Sequence, residues 1–182
     1  EKKRLQENEQ RRYVAESLRD ILRTLNSNKK LDEILDFIIR EAARLLHTDY
    51  AALFRVDMSE KTLVLQATYG FPESLKQNVS ISMETSALGK AFMERRPIFS
   101  TDLSRAVQMS DLHPVLNKHL EWIRSNCCGM MAVPLICKDE VYGGIALYFK
   151  KEEGQPEQII SKEKIELAMT FADQAALAID NT

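Results

Sequence analysis

The chain has 182 residues, of which 45% are hydrophobic and 29% are charged, and its formal net charge is −2. This balance fits one globular domain with its own core and excludes a strongly basic nucleic-acid surface. No run approaches the roughly 18 apolar residues of a membrane span, and the polar start lacks the apolar stretch of a secretory signal. Three cysteines fit a reducing compartment better than a disulfide scaffold. Because the sequence lacks an initiator Met and both ends stop within helical patterns, we expect a piece of a longer protein.

The first segment, from Glu1 to about Asn26, is predicted to be one long helix, since neither Gly nor Pro interrupts it. Its first half is polar, whereas its second half carries a narrow apolar seam of the coiled-coil kind. The seam consists of Val14, Leu18, Ile21 and Leu25. It predicts self-association, and the alternative is an amphipathic helix that lies on its own domain. We therefore divide the chain into a helix (1–26) and a domain (27–182).

Hydrophobic periodicity predicts the central elements in turn. A wide apolar stripe predicts a helix that ends near His47 and covers a sheet. Two segments rich in strand formers, Tyr50–Val56 and Thr62–Tyr69, predict strands joined by a polar turn. A short helix ending at about Arg95 and a short strand from Pro97 to Ser100 follow.

The segment Thr101–Asn126 is irregular at first and ends in a helix that Pro114 can start. Two apolar runs follow, Gly129–Cys137 and Val141–Phe149, and the polar step between them predicts a β-hairpin. Both runs are apolar at nearly every position, which is typical of a central hairpin covered on both faces. The Gly143-Gly144 pair predicts that another backbone, a helix or a ligand comes close.

The last helix is predicted from Ser161 to Asn181 and is apolar on two sides, so we expect two neighbours, the sheet and a partner helix. The residues predicted to face a partner are Phe171, Ala175 and Ala178. With the seam of the first helix, they predict a homodimer through the terminal helices. The element order predicts an α+β fold: a mostly antiparallel sheet of five to six strands, helices on one face, and a pocket built from loops on the other.

Cysteine and histidine are the residue types that suggest chemistry here. Thiolate and imidazole ligands suit zinc or iron, which would bring Cys127 and Cys128 together with His113 and His119. However, the two histidines are six residues apart, which does not place them on one helical face. Buried cysteines also behave as small hydrophobic residues. We predict no metal site and, lacking a Ser-His-Asp set or a phosphate-binding loop, no catalysis, with a cysteine-based redox sensor or enzyme as an alternative.

Five segments between Leu18 and Ile179 carry a resemblance to a known family. They are LDEILDFIIREAARLLHTDYAALFRVD, LVLQATYGFPE, SALGKAFMERRPIFSTDL, AVPLICKDEVYGGIALY and KIELAMTFADQAALAIDN. In this order they resemble the GAF family, the small-molecule-sensing domains of bacterial signalling proteins. The resemblance implies a PAS-related fold with a pocket between the sheet and residues 101–126. It also implies a larger parent protein, such as a two-component histidine kinase or a nucleotide-second-messenger enzyme.

The cofactor is unknown, because no segment of this chain fully matches the ligand-binding residues of a GAF subtype. KHLEWIRSN resembles the bilin-holding segment of phytochrome-type GAF domains, and His119 matches its histidine. Lys118 stands where the bilin-linking cysteine would be, so a covalent bilin is not predicted. YFKKEEGQPEQIISKEKIE keeps too little of the Asn-Lys…Phe…Asp-Glu set of the cyclic-nucleotide-binding domains to predict that ligand. The cysteines do not match those of the GAF-type free methionine sulfoxide reductases.

The pocket that the resemblance implies gives a site prediction. Its predicted wall residues are Asp102, His119, Trp122 and Tyr148, and a small apolar or weakly polar ligand is expected. Binding would be passed through the terminal helices to an output domain, and a ligand-free dimerisation module is the alternative. We expect no nucleic-acid partner and no membrane contact by this fragment. The expected location is the cytoplasm, either free or as part of a membrane-anchored sensor.

Overall fold

The structure, a computed structural model, describes residues 2–25, 30–75, 79–100, 103, 114–150 and 161–180. The helices are α1 (Lys2–Leu25), α2 (Leu31–Leu45), α3 (Ala87–Glu94), α4 (Pro114–Asn126) and α5 (Lys162–Asp180). The strands are β1 (Tyr50–Asp57), β2 (Thr62–Tyr69), β3 (Ser80–Ser82), β4 (Ile98–Ser100), β5 (Cys127–Cys137) and β6 (Glu140–Lys150). One turn of 3₁₀ helix, Glu73–Leu75, follows β2.

The six strands form one antiparallel sheet in the order β3-β2-β1-β6-β5-β4. The two longest strands, β5 and β6, are the predicted hairpin and lie inside the sheet. Lys138 and Asp139 connect them with φ angles of 52° and 66°, which match the twist of a two-residue type I′ turn. The predicted α+β fold class with an antiparallel sheet is confirmed.

Helices cover both faces of this sheet. On one face α2 and α5 pack over the strands, and Ile38 and Phe171 are buried in the larger core cluster there. On the other face α3 and α4 pack over a second cluster, to which Leu88 and Ile123 belong. Strand residues contribute to both clusters because successive side chains point to opposite faces. The predicted pocket face is therefore built from two helices as well as loops.

The helix α5 packs against several elements of its own chain. It packs on β5, and both α1 and α2 contact it. Phe171, Ala175 and Ala178, which we predicted to face a partner, are at most 1% exposed in this single-chain core. The second apolar side of α5 therefore needs no partner helix, because α1 and α2 already cover it. A dimer interface that includes these three residues stays a prediction.

Only part of α1 packs on the domain. Val14 is buried in the same core as α2 and α5, whereas residues 2–9 are exposed. Arg44 of α2 pairs with Glu41 and holds its guanidinium 5.1 Å from the ring centroid of Tyr13, so it ties α2 to α1. For the other seam residues, Leu18, Ile21 and Leu25, the structure describes the helical backbone and not the side chains. Self-association through the seam stays a prediction.

The two adjacent glycines of β6 make the close approach that the sequence predicts. An added Cβ at Gly143 would overlap the carbonyl oxygen of Phe54 on β1, and one at Gly144 would meet the Leu88 side chain of α3 at 2.5 Å.

We expect Gly143→Ala to lower the free energy of unfolding by about 1–3 kcal/mol, since backbone atoms of the central sheet must move. Urea denaturation measures this. The exposed Lys150→Ala on the same strand is the control, and an equally small change in both variants would contradict the prediction.

Candidate ligand-binding site

Five aromatic rings from β1, β6, α4 and the turn after β2 meet on the sheet face that α4 covers. We call them the aromatic cluster: Tyr50, Phe71, His119, Trp122 and Tyr148. The contacting pairs have ring centroids between 4.7 Å, for Tyr50 and Trp122, and 5.9 Å, for Tyr50 and Phe71. Such separations, with tilted and edge-on geometries, are those that aromatic pairs prefer. The rings therefore form one packed unit with Phe71 at its centre.

The fold brings these rings together through strand register, helix spacing and one turn. Tyr50 lies opposite Tyr148 where β1 pairs with β6. His119 and Trp122 are three residues apart on α4, so they share a face of that helix. Phe71 follows Gly70, whose φ of 81° ends β2 and turns the chain towards the cluster. Each ring is thus held by an element that the hydrophobic core fixes in place.

His119 is the most deeply buried polar side chain of the cluster. It is 1% exposed, and the Phe71 ring stacks on it with centroids 5.3 Å apart and planes 29° apart. Burial lowers its pKa from 6.5 to about 4, and a hydrogen bond with the backbone of Leu75 opposes this shift. Its Nδ1 atom has no hydrogen-bond partner within the described part of the chain. At neutral pH the ring is therefore uncharged, and one of its nitrogens has no partner among the described residues.

The other members make the surroundings of His119 apolar and uncharged. Burial raises the pKa of Tyr148, so its phenol stays protonated. Trp122 and Tyr50 are only partly buried and form the outer side of the cluster. The side-chain nitrogen of Asn126 donates to the carbonyl oxygen of Trp122 at 2.8 Å, which completes the last turn of α4.

The structure brings together three of the four predicted wall residues. His119, Trp122 and Tyr148 belong to one cluster, whereas Asp102 lies outside the described residues. Tyr50 and Phe71 were not predicted as site residues. Their signals were present, since Tyr50 begins a strand and Phe71 follows a strand-ending glycine, but neither signal says which rings meet across a sheet.

The three cysteines lie at the two ends of β5. No disulfide links them, and the Cys128 Sγ lies 3.6 Å from the carbonyl oxygen of Lys150. Burial and the neighbouring carboxylate of Asp180 raise the pKa of Cys137, which disfavours the reactive thiolate. Within the described segments, no three side chains of His, Cys, Asp or Glu lie close enough to hold a metal ion.

A concave region of the described structure lies where α1, α2 and α5 meet. It is an open groove of about 470 Å³ on the opposite side of the sheet from the aromatic cluster. Its lining is Gln6, Glu9, Tyr13, Leu45, His47 and Leu167. The groove mixes charged, amide and apolar side chains and is open to solvent, unlike the surroundings of His119.

Comparison with models of protein families assigns the chain to one family. A family model described as the GAF domain matches residues 28–180. The chain belongs to the GAF family. GAF domains are typically sensor domains of signalling proteins.

Solved structures similar to this chain show the same fold. The GAF domain of a phosphoenolpyruvate-protein phosphotransferase from Acinetobacter has a TM-score of 0.68 and 17% identity, covering 91% of this chain and 92% of its own. A methyl-accepting chemotaxis protein segment has a TM-score of 0.65 and 18% identity, with 88% and 94% covered. The free methionine-R-sulfoxide reductase from Neisseria meningitidis, solved with its substrate, has a TM-score of 0.65 and 14% identity, with 92% and 89% covered. At these identities the likeness concerns the GAF fold alone.

Among the helices of the described segments, none is both long and apolar enough to cross a lipid bilayer.

Proposed function

We propose that this GAF domain is a non-catalytic sensor within a larger bacterial signalling protein. A small molecule binds at the aromatic cluster, and the terminal helices pass the change to an output domain. The domain acts in the cytoplasm as a homodimer. The observation that supports this most directly is Nδ1 of His119, which is buried beside aromatic rings and has no hydrogen-bond partner among the described residues.

A buried polar atom without a partner is unfavourable, which is why such atoms suggest a missing partner. Leaving one unsatisfied costs about 1–3 kcal/mol. Phenylalanine or leucine in place of His119 would fill the same space beside Phe71 without that cost. A ligand that hydrogen-bonds Nδ1 would offset it, and the surrounding rings would supply apolar contact area.

The sheet offers a direct route from the cluster to α5. Tyr148 and Phe149 are neighbours on β6 and lie in opposite cores, Tyr148 in the cluster and Phe149 beneath α5. Lys164, in the first turns of α5, holds its ammonium 5.3 Å from the Phe149 ring centroid. At the far end of α5, Asp180 pairs with Lys138 of the hairpin turn at 3.2 Å. A ligand at the cluster that shifts β6 would therefore act on both ends of α5, through Phe149 and through the hairpin turn.

A ligand-free dimerisation module is the second candidate, and exposed apolar residues on the terminal helices favour it. Leu5 of α1 is 63% exposed and Leu177 of α5 is 39% exposed. Because Phe171, Ala175 and Ala178 are covered within one chain, a dimer would use the outer faces of these helices. The raised pKa of Cys137 gives no support to a redox sensor at that residue.

Native mass spectrometry of the freshly purified fragment tests both candidates. We expect a dimer mass that carries one small adduct per chain. A bare dimer would favour the dimerisation module, and a bare monomer would contradict the proposed role of the helices.

Deleting residues 1–12 and adding Leu18→Asp and Ile21→Asp should convert the dimer to a monomer. A dimer that survives these changes would exclude assembly through α1.

A further inference from the structure

We propose that the aromatic cluster takes a small, planar, uncharged molecule that donates an N–H hydrogen bond to Nδ1 of His119. This inference rests on the proposed sensor function and names the chemical class of its ligand. It follows from the neutral form of the His119 ring, from the uncharged side chains that the structure describes around it and from the geometry of the rings.

The backbone contact of His119 determines whether its other ring nitrogen, Nδ1, donates or accepts a hydrogen bond. A neutral imidazole has one nitrogen that donates and one that accepts. The contact with Leu75 favours the protonated ring, as expected when a carbonyl oxygen accepts a ring N–H. Nδ1 is the nitrogen without a partner among the described residues, so we assign the contact with Leu75 to the Nε2–H group, which leaves Nδ1 as an acceptor. The complementary ligand group is a donor.

The described residues around His119 disfavour a charged ligand. The hydrophobic residues of this core add only the sulfur of Cys127 and Met130 and the phenols of Tyr50 and Tyr148 as polar atoms. The other buried polar or charged side chains of the described residues, Ser17, Glu41 and Thr48, lie on α1, on α2 and directly after α2. A phosphate or carboxylate placed there would lose its hydration without a cation to replace it. An uncharged N–H donor has a much smaller desolvation penalty, which a hydrogen bond to Nδ1 would offset.

The ring geometry selects a planar molecule and shows which ring has to move. All five rings touch at least one other ring, so a ligand needs space that one of them now fills. Phe71 and Tyr148 are almost fully buried, whereas Trp122 is partly exposed and shares the His119 face of α4. A ligand of one or two fused rings that displaces the Trp122 side chain would stack on Phe71 in its place.

Two probes that differ by one methyl group test this inference. Indole is planar, uncharged and has an N–H donor, whereas 1-methylindole has the same rings and no donor. We expect indole to bind about tenfold more tightly, since a single hydrogen bond distinguishes the two. In the nitrogen-15-labelled chain, indole should shift the His119 ring nitrogens and the indole N–H of Trp122, the only tryptophan.

Variants separate the hydrogen bond from general apolar binding. His119→Phe should reduce the preference for indole to less than twofold, and the exposed His47→Gln should leave it unchanged. Equal affinity for the two probes in the unaltered chain, or no shift with either, would overturn the inference. A charged adduct in native mass spectrometry would also overturn it while leaving the sensor function intact. The absence of any adduct, by contrast, counts against the sensor function itself.

Discussion

Phe71→Ala is expected to lower the free energy of unfolding by about 3–5 kcal/mol, the range for removing a buried phenylalanine from a packed core. Phe71 is 5% exposed and contacts four other rings, those of Tyr50, His119, Trp122 and Tyr148. Its removal leaves a cavity between β1, β6 and α4 and takes away the ring that stacks on His119. The loss should therefore affect the whole pocket face as well as the local contact.

Chemical denaturation, followed by the fluorescence of the single tryptophan, measures this loss. Because the Phe71 ring centroid lies 5.0 Å from that of Trp122, the emission of the folded variant should also change. Phe99→Ala is the matched control: Phe99 lies on the edge strand β4 and is 55% exposed, so its removal should cost below about 0.5 kcal/mol. Similar losses in the two variants would mean that the aromatic cluster is not a packed unit.

The fold was predictable because its elements have strong local signals. The apolar runs on both sides of residue 138 have strand composition and are separated by a short polar step, so the hairpin follows from the sequence alone. His119 and Trp122 share a helix face at a spacing of three, which any helical prediction of that segment includes. Tyr50 and Phe71 were missed because their place in the cluster depends on the register of β1 against β6 and on the turn at Gly70.

For the terminal helices, the hydrophobic pattern predicts buried faces but not which chain covers them. The two apolar sides of α5 correctly indicate two neighbours, but a pattern does not distinguish a helix of the same chain from a helix of a partner. In the structure Phe171 and Ala175 are covered by the chain's own elements, and Val14 of the predicted seam joins the same core. Asp102, the remaining predicted wall residue, lies outside the described residues and stays a prediction.

The stability of this domain is expected to fall steeply with decreasing pH because His119 is buried in its neutral form. Its pKa is about 4 in the folded chain and 6.5 as an ordinary value, which we take for the unfolded chain. Above pH 6.5 neither state binds the proton, so the full stability is present. Between pH 6.5 and 4 only the unfolded chain binds it, so stability declines as the pH falls. The loss should reach about 2 kcal/mol at pH 5 and about 3 kcal/mol at pH 4, where it levels off.

Denaturation midpoints measured from pH 7 to pH 5 isolate this effect, because most carboxylates stay ionised over that interval. His119→Phe should flatten the pH dependence and raise stability at pH 7, since it removes both the titrating group and the unpaired nitrogen. The exposed His47→Gln should keep the original slope. A steep slope that persists in His119→Phe would assign the acid sensitivity to another group. The same substitution removes the proposed acceptor for the ligand, so we expect the more stable variant to be the one that no longer senses.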